Sequence, residues 1–255
     1  MLKIRVIPVL LLRGGGLVKG NNFKDHKYVG DPINAVKIFN DKEVDELVFL
    51  DIGATASGKG PNFDLLKDIV SEAFVPLAYG GGVSTLEQLK KLFNIGIEKV
   101  IFNSSAFTNP QIIYQASQVA GSQSIVVSID VKKNFWGTYQ VFIYNGTKST
   151  KKCPVEYAKE AEALGAGELI VTSIDREGTG IGYDNDLLKS ITSQVTIPVT
   201  ALGGAANLEH LKETVDIANV SGTAAGDMFI FTGKHKAVLI TYPEYSLLEA
   251  LFQKD

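Results

Sequence analysis

The sequence predicts an α/β fold, and within that class a single (β/α)8 TIM barrel over residues 1–255. Eight short apolar runs rich in β-forming residues alternate with amphipathic helical patterns along the 255-residue chain, which is the element count of such a barrel. Several residues also recur 122 positions apart, for example Gly81 at Gly203 and Glu46 at Glu168. A constant offset across several elements predicts two equivalent half barrels, about 1–120 and 121–255.

The predicted elements follow one another in regular order. The strands are expected at residues 4–10, 46–51, 75–79, 99–102, 125–130, 169–173, 199–201 and 218–223. The helices are expected at residues 31–39, 65–73, 85–93, 110–120, 155–164, 185–191, 208–215 and 245–252. Asp31 and Pro32 favour a helix start, because aspartate is a good N-cap and proline fits the first turn. Bulky and polar residues alternate over 135–144, which predicts a hairpin in the loop after strand five.

The composition is that of a globular protein with a large core. Apolar residues make up 45% of the chain and charged residues 21%. A formal net charge of −3 gives no electrostatic reason to expect nucleic acid or an anionic membrane as partner. Cys153 is the single cysteine, which excludes an internal disulfide and a cysteine-cluster metal site. The single cysteine fits a reducing compartment and no apolar run reaches membrane-spanning length, so we expect a cytoplasmic protein. We also expect no metal and no cofactor.

Glycines at the carboxyl ends of predicted strands indicate two phosphate sites. Active sites of (β/α)8 barrels lie at these strand ends, and glycine lets backbone N–H groups approach an anion closely. Strand three ends at residues 80–82 and strand four at Asn103 and Ser104. Strand seven ends at residues 203–204 and strand eight at Gly226. The glycine pairs obey the repeat offset, which predicts two phosphate cradles on opposite sides of the barrel mouth.

Four further side chains are placed by their sequence context. Lys19 lies in a glycine-bearing loop after strand one. It either closes over an anionic ligand or stays a surface lysine in a mobile loop, and spacing alone does not separate these readings. The three histidines, His26, His210 and His235, have no metal-like spacing, and we expect them on the surface.

Charged residues also lie at the opposite ends of four strands. Arg5, Glu46, Lys99 and Glu168 stand at the starts of strands one, two, four and six. Such charges ordinarily face solvent and form surface ion pairs. Their alternating sign would also let them pair into a plug across the barrel axis.

The ends of strands one and five differ in a way that matters for acid–base chemistry. The first run ends in leucines, including Leu11, whereas the fifth ends in Asp130. A buried carboxylate can transfer a proton and leucine cannot. One side of the predicted mouth therefore carries an acid and the other side only hydrocarbon.

These residues resemble those of the HisF family, the cyclase subunit of imidazole glycerol phosphate synthase, along nearly the whole chain. The most specific segments are residues 45–52, 80–82, 121–123 and 172–176. The resemblance implies a barrel that receives ammonia at its bottom from a glutamine amidotransferase partner, the HisH-like glutaminase. At the top, ammonia would react with a bis-phosphorylated substrate to give imidazole glycerol phosphate and an aminoimidazole carboxamide nucleotide.

The resemblance also implies roles for individual positions. An ammonia gate is implied at Arg5, Glu46, Lys99 and Glu168. Substrate and phosphate contacts are implied at Lys19, Gly82, Asn103, Ser104, Gly178, Gly204 and Gly226. Asp130 matches the second of two catalytic aspartates, and the first falls on Leu11.

Three other positions depart from the pattern of that family. Its aspartate after strand six is Glu177, and its serine before the second glycine pair is Leu202. Its phosphate-binding serine after strand eight is Asp227, whose carboxylate would repel a dianion. Aspartate is also a favoured helix cap, which would be the ordinary role of this residue. Together with Leu11, these departures predict that the histidine-pathway cyclisation is weak or lost.

Residues 9–12, 229–234 and 237–243 resemble a HisF-like branch found in bacterial surface-polysaccharide gene clusters. That resemblance implies that ammonia goes to a separate sugar amidotransferase. The leading interpretation is therefore a subunit that docks a HisH-like glutaminase, with Glu98 near the docking face, and conducts ammonia. One alternative is a working cyclase in which Asp51 or Glu177 replaces the missing acid. Another is a non-catalytic barrel that only activates its glutaminase allosterically.

Overall fold

A computed structural model describes residues 4–233 and 237–253 and confirms the predicted (β/α)8 barrel. The strands are β1 (Arg5–Arg13), β2 (Gly16–Asn21), β3 (Lys24–Gly30), β4 (Leu47–Asp51), β5 (Leu77–Gly80), β6 (Lys99–Phe102), β7 (Ile125–Lys133), β8 (Tyr139–Ile143), β9 (Lys148–Ser149), β10 (Glu168–Ser173), β11 (Val199–Leu202), β12 (Gly222–Ala225), β13 (Phe231–Thr232) and β14 (Ala237–Val238). The helices are α1 (Pro32–Asp41), α2 (Ala54–Ser57), α3 (Phe63–Glu72), α4 (Leu86–Asn94), α5 (Ser104–Thr108), α6 (Gln111–Ala120), α7 (Pro154–Ala163), α8 (Asn185–Thr192), α9 (Leu208–Ala218), α10 (Asp227–Ile230) and α11 (Tyr245–Phe252).

Parallel pairing closes the barrel without a free edge. Around the ring the order is β1, β4, β5, β6, β7, β10, β11 and β12, and β12 pairs with β1 again. Residues 5–120 supply four of these strands and residues 121–233 supply the other four. This arrangement accommodates two half barrels, whose equivalence stays a prediction from the sequence offset.

Alternation along the strands divides the apolar residues into two layers. The barrel interior is filled by Ile7, Val9, Val48, Ala78, Ile101, Val126, Ile170, Leu202 and Ala224. The other strand faces pack against the helices around large buried rings such as Phe39, Phe49 and Phe102. Because both strand faces are buried, the strands read as nearly continuous apolar runs, the pattern of parallel sheets.

Helix caps account for several of the predicted helix starts. The Asp31 carboxylate accepts a hydrogen bond from the Asn34 amide at 3.0 Å, and Pro32 is the first residue of α1, as predicted. Thr85 and Gln88 form a reciprocal capping box at the start of α4. Capping satisfies amide groups that have no partner within the helix.

The structure corrects two predicted boundaries and one predicted loop. The eighth barrel strand begins at Gly222, not at residue 218, because α9 continues to Ala218 and Asn219 ends it with φ of 51°. The hairpin after strand five pairs the end of β7 with β8, so its first strand lies before residue 135. The predicted glycine-bearing loop after strand one is not a loop throughout. It consists of a tight turn after β1 and of strand β2, which pairs with β3 to form a hairpin.

The longest helix in the described part of the chain, α9, has 11 residues. None of the helices in residues 4–233 and 237–253 has both the length and the apolar character needed to cross a membrane.

Candidate functional site

A cavity of about 360 Å³ opens at the carboxyl ends of the barrel strands. It brings together predicted site residues from both halves of the chain, namely Leu11, Lys19, Gly82, Asn103, Ser104, Asp130 and Gly226. Gly178 and Gly204 do not line this cavity. The mouth is therefore built as predicted on one side and differently on the other.

The first cradle consists of Gly82, Asn103 and Ser104 and faces the cavity. Gly82 has φ of 66°, and a Cβ added there would lie 2.9 Å from both Gly60 Cα and Ala54 Cβ, so no side chain fits. The Ser104 hydroxyl donates to Asn103 Oδ1 at 3.0 Å and accepts from the Tyr144 amide at 2.9 Å. These contacts hold the polar groups of the first cradle at the cavity wall.

Asp130 is the buried acid of the mouth, with 8% of its surface exposed. Asn103 Nδ2 donates to Asp130 Oδ2 at 3.1 Å, and the Ser128 hydroxyl donates to Oδ1 at 3.3 Å. Burial raises the pKa of the Asp130 carboxyl to about 6, against the opposing effect of these hydrogen bonds. A carboxyl with such a pKa can accept or donate a proton near neutral pH.

Leu11 lines the same cavity as Asp130 and is packed against the apolar barrel interior. Leu50, on the neighbouring strand β4, is its register partner and has the same surroundings. The cavity wall at β1 is thus hydrocarbon, as the sequence predicts, and it offers no group that could transfer a proton.

Two other carboxylates at the mouth are already engaged. Asp51 Oδ1 accepts from the amides of Gly53 and Ala54 at 2.9 and 3.0 Å. Burial nevertheless raises the pKa of Asp51 above its usual value. Glu177 forms an ion pair with Lys19. The two acids that could stand in for the missing aspartate therefore have structural partners.

Lys19 is neither a surface lysine nor a residue of a mobile loop. It lies in β2, has 5% of its surface exposed, and contacts two carboxylates. Its Nζ forms an ion pair with Glu177 Oε1 and another with Asp227 Oδ1, the latter at 3.1 Å. Burial opposes the charge of Lys19, but the attraction of these carboxylates prevails and raises the pKa of its ammonium group. We call Lys19, Glu177 and Asp227 the Lys19 triad.

The Lys19 triad corrects the expected role of Asp227 as a helix cap. The N-cap of α10 is Gly226, and Asp227 is the first residue of that helix. Its carboxylate instead contacts the Lys19 ammonium group. The sequence held no local signal for this contact, because the two residues belong to distant elements, β2 and α10.

The second cradle, made of Gly178, Gly204 and Gly226, is closely packed around its glycines. A Cβ on Gly226 would lie 2.7 Å from Lys19 Cε. Gly204 packs against Gly182, whose amide donates to the Gly204 carbonyl at 2.8 Å. Gly178 packs against the end of β2 at Gly20. Of these three glycines, Gly226 lines the cavity, beside Lys19, and Gly178 and Gly204 do not.

His26 is partly exposed, and it also lines the cavity, which the sequence did not predict. Burial, followed by the nearby charges of Arg13 and Lys19, lowers the pKa of the His26 imidazole. His210 is partly buried, and its Nδ1 accepts from the Ala206 amide at 3.2 Å. His235 lies outside the described residues.

At the opposite end of the barrel, the four charges at the strand starts form one closed ring. Arg5 contacts Glu46 and Glu168 at 2.6 Å each. Lys99 contacts the same two glutamates at 2.7 and 2.9 Å. Burial alone would disfavour the charged forms of Arg5 and Glu168. The two glutamates nevertheless raise the pKa of Arg5, and Arg5 and Lys99 lower the pKa of Glu168. The alternation of sign seen in the sequence does produce a plug, which we call the charged ring.

Exposed aromatic residues lie at both ends of the barrel. Phe135 and Trp136 form the tip of the β7–β8 hairpin, are 93% and 84% exposed, and meet edge to face with ring centroids 5.4 Å apart. Phe74, in the loop that enters β5, is 89% exposed at the end that carries the charged ring. Glu98, in the loop that enters β6, is exposed at that same end.

Comparison with known proteins places the chain in a family. The sequence profile of the family described as "Histidine biosynthesis protein" matches residues 5–236. The protein named "Imidazole glycerol phosphate synthase subunit HisF" from Hydrogenobaculum sp. is 42% identical over 231 residues, covering 91% of this chain and 92% of that protein. The chain belongs to the HisF family.

Other HisF relatives are more similar still. The protein named "Putative imidazole glycerol phosphate synthase subunit HisF" from Leptospira borgpetersenii is 49% identical, over 99% of this chain and 100% of its own length. The protein named "Putative imidazole glycerol phosphate synthase subunit hisF2" from Pseudomonas aeruginosa is 48% identical, over 98% of this chain and 99% of its own length.

Proposed function

We propose that this HisF-family barrel is a synthase subunit that docks a HisH-like glutaminase and conducts nascent ammonia, with cyclase activity lost or weak. The acceptor in this proposal is an acetamido sugar of a surface polysaccharide, held by a separate sugar amidotransferase. The observation that carries the proposal is the combination of a complete charged ring with a mouth in which Leu11 stands opposite one acid and Lys19 is already paired with two carboxylates.

The barrel interior supports conduction of neutral ammonia. Above the charged ring, the next inward-facing residues are apolar, among them Ile7, Val48 and Ile170. Removing the charged ammonium ion from water into such a passage costs a large desolvation free energy, whereas the cost for neutral ammonia is far smaller. Asp130, at the far end, has a pKa of about 6 and is therefore mostly ionised at pH 7. Ammonia that arrives there meets a group able to handle a proton.

The exposed groups around the charged ring support docking of the glutaminase there. Phe74 offers a large apolar contact and Glu98 a charge beside it. Aromatic anchors of this kind dominate the affinity of many interfaces. An ammonia-producing partner at this end would deliver its product to the charged ring.

The mouth gives less support to the alternative of a working cyclase. A general acid or base contributes about 10²–10⁴-fold to a rate, and the β1 position holds Leu11. Asp51 and Glu177, the possible substitutes, are held by backbone amides and by Lys19. We expect cyclase turnover, with the family's bis-phosphorylated substrate and ammonium chloride, at least about 10²-fold below that of the Hydrogenobaculum relative. Equal turnover would refute the loss of cyclisation.

Conduction is tested by following the nitrogen. The chain, a coexpressed HisH-like glutaminase and the sugar amidotransferase are supplied with glutamine labelled with ¹⁵N in the amide group, in unlabelled ammonium buffer. We expect most product nitrogen to carry ¹⁵N, and Lys99→Met or Arg5→Met to lower that fraction severalfold. Lys152→Met, at the exposed pair with Glu160, is the control. If the ring variants retain the labelled fraction, ammonia does not pass the charged ring, and the allosteric alternative is favoured.

A further inference from the structure

We propose that the Glu177 and Asp227 carboxylates of the Lys19 triad take the place of a second phosphate, so that the mouth binds one anionic end of a ligand and gains no affinity from a second anionic end. This proposal rests on the proposed function, in which the mouth differs from that of a working cyclase. It adds the class of ligand that the mouth binds. It concerns binding alone and can be tested apart from ammonia conduction.

Lys19 is the cation that would have to meet a second phosphate, and it is already neutralised. Its ammonium group contacts Glu177 and Asp227 together, and 5% of the residue is exposed. To bind a phosphate, Lys19 would have to leave the buried Glu177 carboxylate and the partly buried Asp227 carboxylate without their cation. Breaking a buried ion pair by removing one partner is strongly unfavourable.

The charge of the triad also opposes a dianion. One lysine and two carboxylates sum to −1, and Asp130 adds negative charge in the same cavity above its pKa of about 6. Like charges at such short range in a partly desolvated cavity repel strongly. A second phosphate would therefore find neither a free cation nor a neutral wall.

Packing acts in the same direction as charge. Lys19 Cε and Nζ lie within 2.8 Å of where a Cβ on Gly226 would be, so the ammonium group lies directly against this glycine. Gly204 packs against the loop that carries Gly182 and Arg176 and does not line the cavity. Gly82, Asn103 and Ser104 of the first cradle all line the cavity. One anionic group can bind there, and the other end of the ligand would lie against Leu11 and Leu50.

The test compares two probes, ribose 5-phosphate and ribulose 1,5-bisphosphate, titrated into the full chain at pH 7.5 by calorimetry. We expect the bisphosphate to bind no more than about twofold tighter than the monophosphate, because either of its ends can enter the first cradle. Asp227→Asn and, separately, Glu177→Gln should free the charge of Lys19. Each should raise bisphosphate affinity about tenfold or more and leave monophosphate affinity unchanged.

The control is Asp25→Asn, which makes the same charge change at an exposed residue of the hairpin that carries Lys19. Asp25 has φ of 52°, and asparagine tolerates that conformation. The proposal is overturned if the unmodified chain binds the bisphosphate tenfold tighter than the monophosphate. It is also overturned if both triad variants keep the original ratio, or if no variant binds either probe. None of these results bears on ammonia conduction, which is measured by the fate of ¹⁵N.

Discussion

At the scale of the residue, the mouth is defined by which carboxylates are free to act. Asp51 and Glu177 line the cavity and Asp227 contacts Lys19 there, yet each is engaged by backbone amides or by Lys19. Asp130 is held by Asn103 and Ser128, whose side chains fix its orientation. Among these four carboxylates, Asp130 is therefore the one bound neither by helix amides nor by a cation.

Asp130 should make the stability of the fold depend on pH. Its pKa is raised from 3.8 to about 6, so between these values the folded state binds more protons than the unfolded state. The contribution of Asp130 to the free energy of unfolding is therefore greatest below about pH 4 and is lost as pH rises through 6. Asp130→Asn should accordingly add about 2–3 kcal/mol to the free energy of unfolding at pH 7.5 and almost nothing at pH 4. Urea unfolding at both pH values measures this, and an equal change at both would contradict it.

At the scale of the element, two hairpins on the carboxyl side of the barrel have opposite characters. The β2–β3 hairpin is fixed to the barrel by Lys19 and by Asn22, whose Nδ2 donates to the carbonyls of Ile174 and Asp175 at 3.1 and 2.8 Å. The β7–β8 hairpin instead presents Phe135 and Trp136 to solvent. Its turn is held by Asn134, whose Oδ1 accepts from the amides of Trp136 and Thr138. A hydrogen-bonded tip with two exposed rings is suited to contact with another protein.

The proposed sugar amidotransferase would use this tip. Phe135→Ser with Trp136→Ser should change the free energy of unfolding by less than about 0.5 kcal/mol, because both rings are exposed. The same double variant should lower ¹⁵N transfer to the sugar severalfold and leave glutaminase activation unchanged. Phe74→Ser, at the other end of the barrel, should lower glutaminase activation instead. If the double variant weakens neither activity, the tip is not a contact for the acceptor enzyme.

At the scale of the whole molecule, the charged ring contributes to stability as well as to the proposed gate. Arg5 and Lys99 begin β1 and β6, and their partners Glu46 and Glu168 precede β4 and begin β10. The charged ring therefore connects strands from both halves of the chain. Arg5→Met would leave two largely buried glutamates with Lys99 alone. Since Arg5 is itself partly exposed, we expect a loss of about 1–3 kcal/mol in unfolding free energy. Lys152→Met should cost less than about 1 kcal/mol, and equal losses would contradict a structural role for the charged ring.

Much of the fold and of the candidate site could be predicted from the sequence, because both depend on local patterns. The alternation of strand and helix patterns predicts the barrel, and the alternation of sign predicts the charged ring. Lys19 and Asp227 could not be paired in this way, since their contact joins the second strand to a helix that follows the eighth barrel strand. The glycines after strand one predicted a loop because Gly14 and Gly15, which have positive φ, form the tight turn between β1 and β2. They gave no sign that β2 goes on to pair with β3.

The Lys19 triad has a kinetic consequence for any ligand that enters the mouth. A hairpin that closes only when its lysine meets a ligand must be ordered at the moment of binding, and that ordering costs conformational entropy. Here the lysine already has its anions, supplied by Glu177 and Asp227, so the β2–β3 hairpin is closed beforehand. Entry should therefore proceed without a lid-closing step, and the association rate should depend on diffusion into a cavity that is already formed.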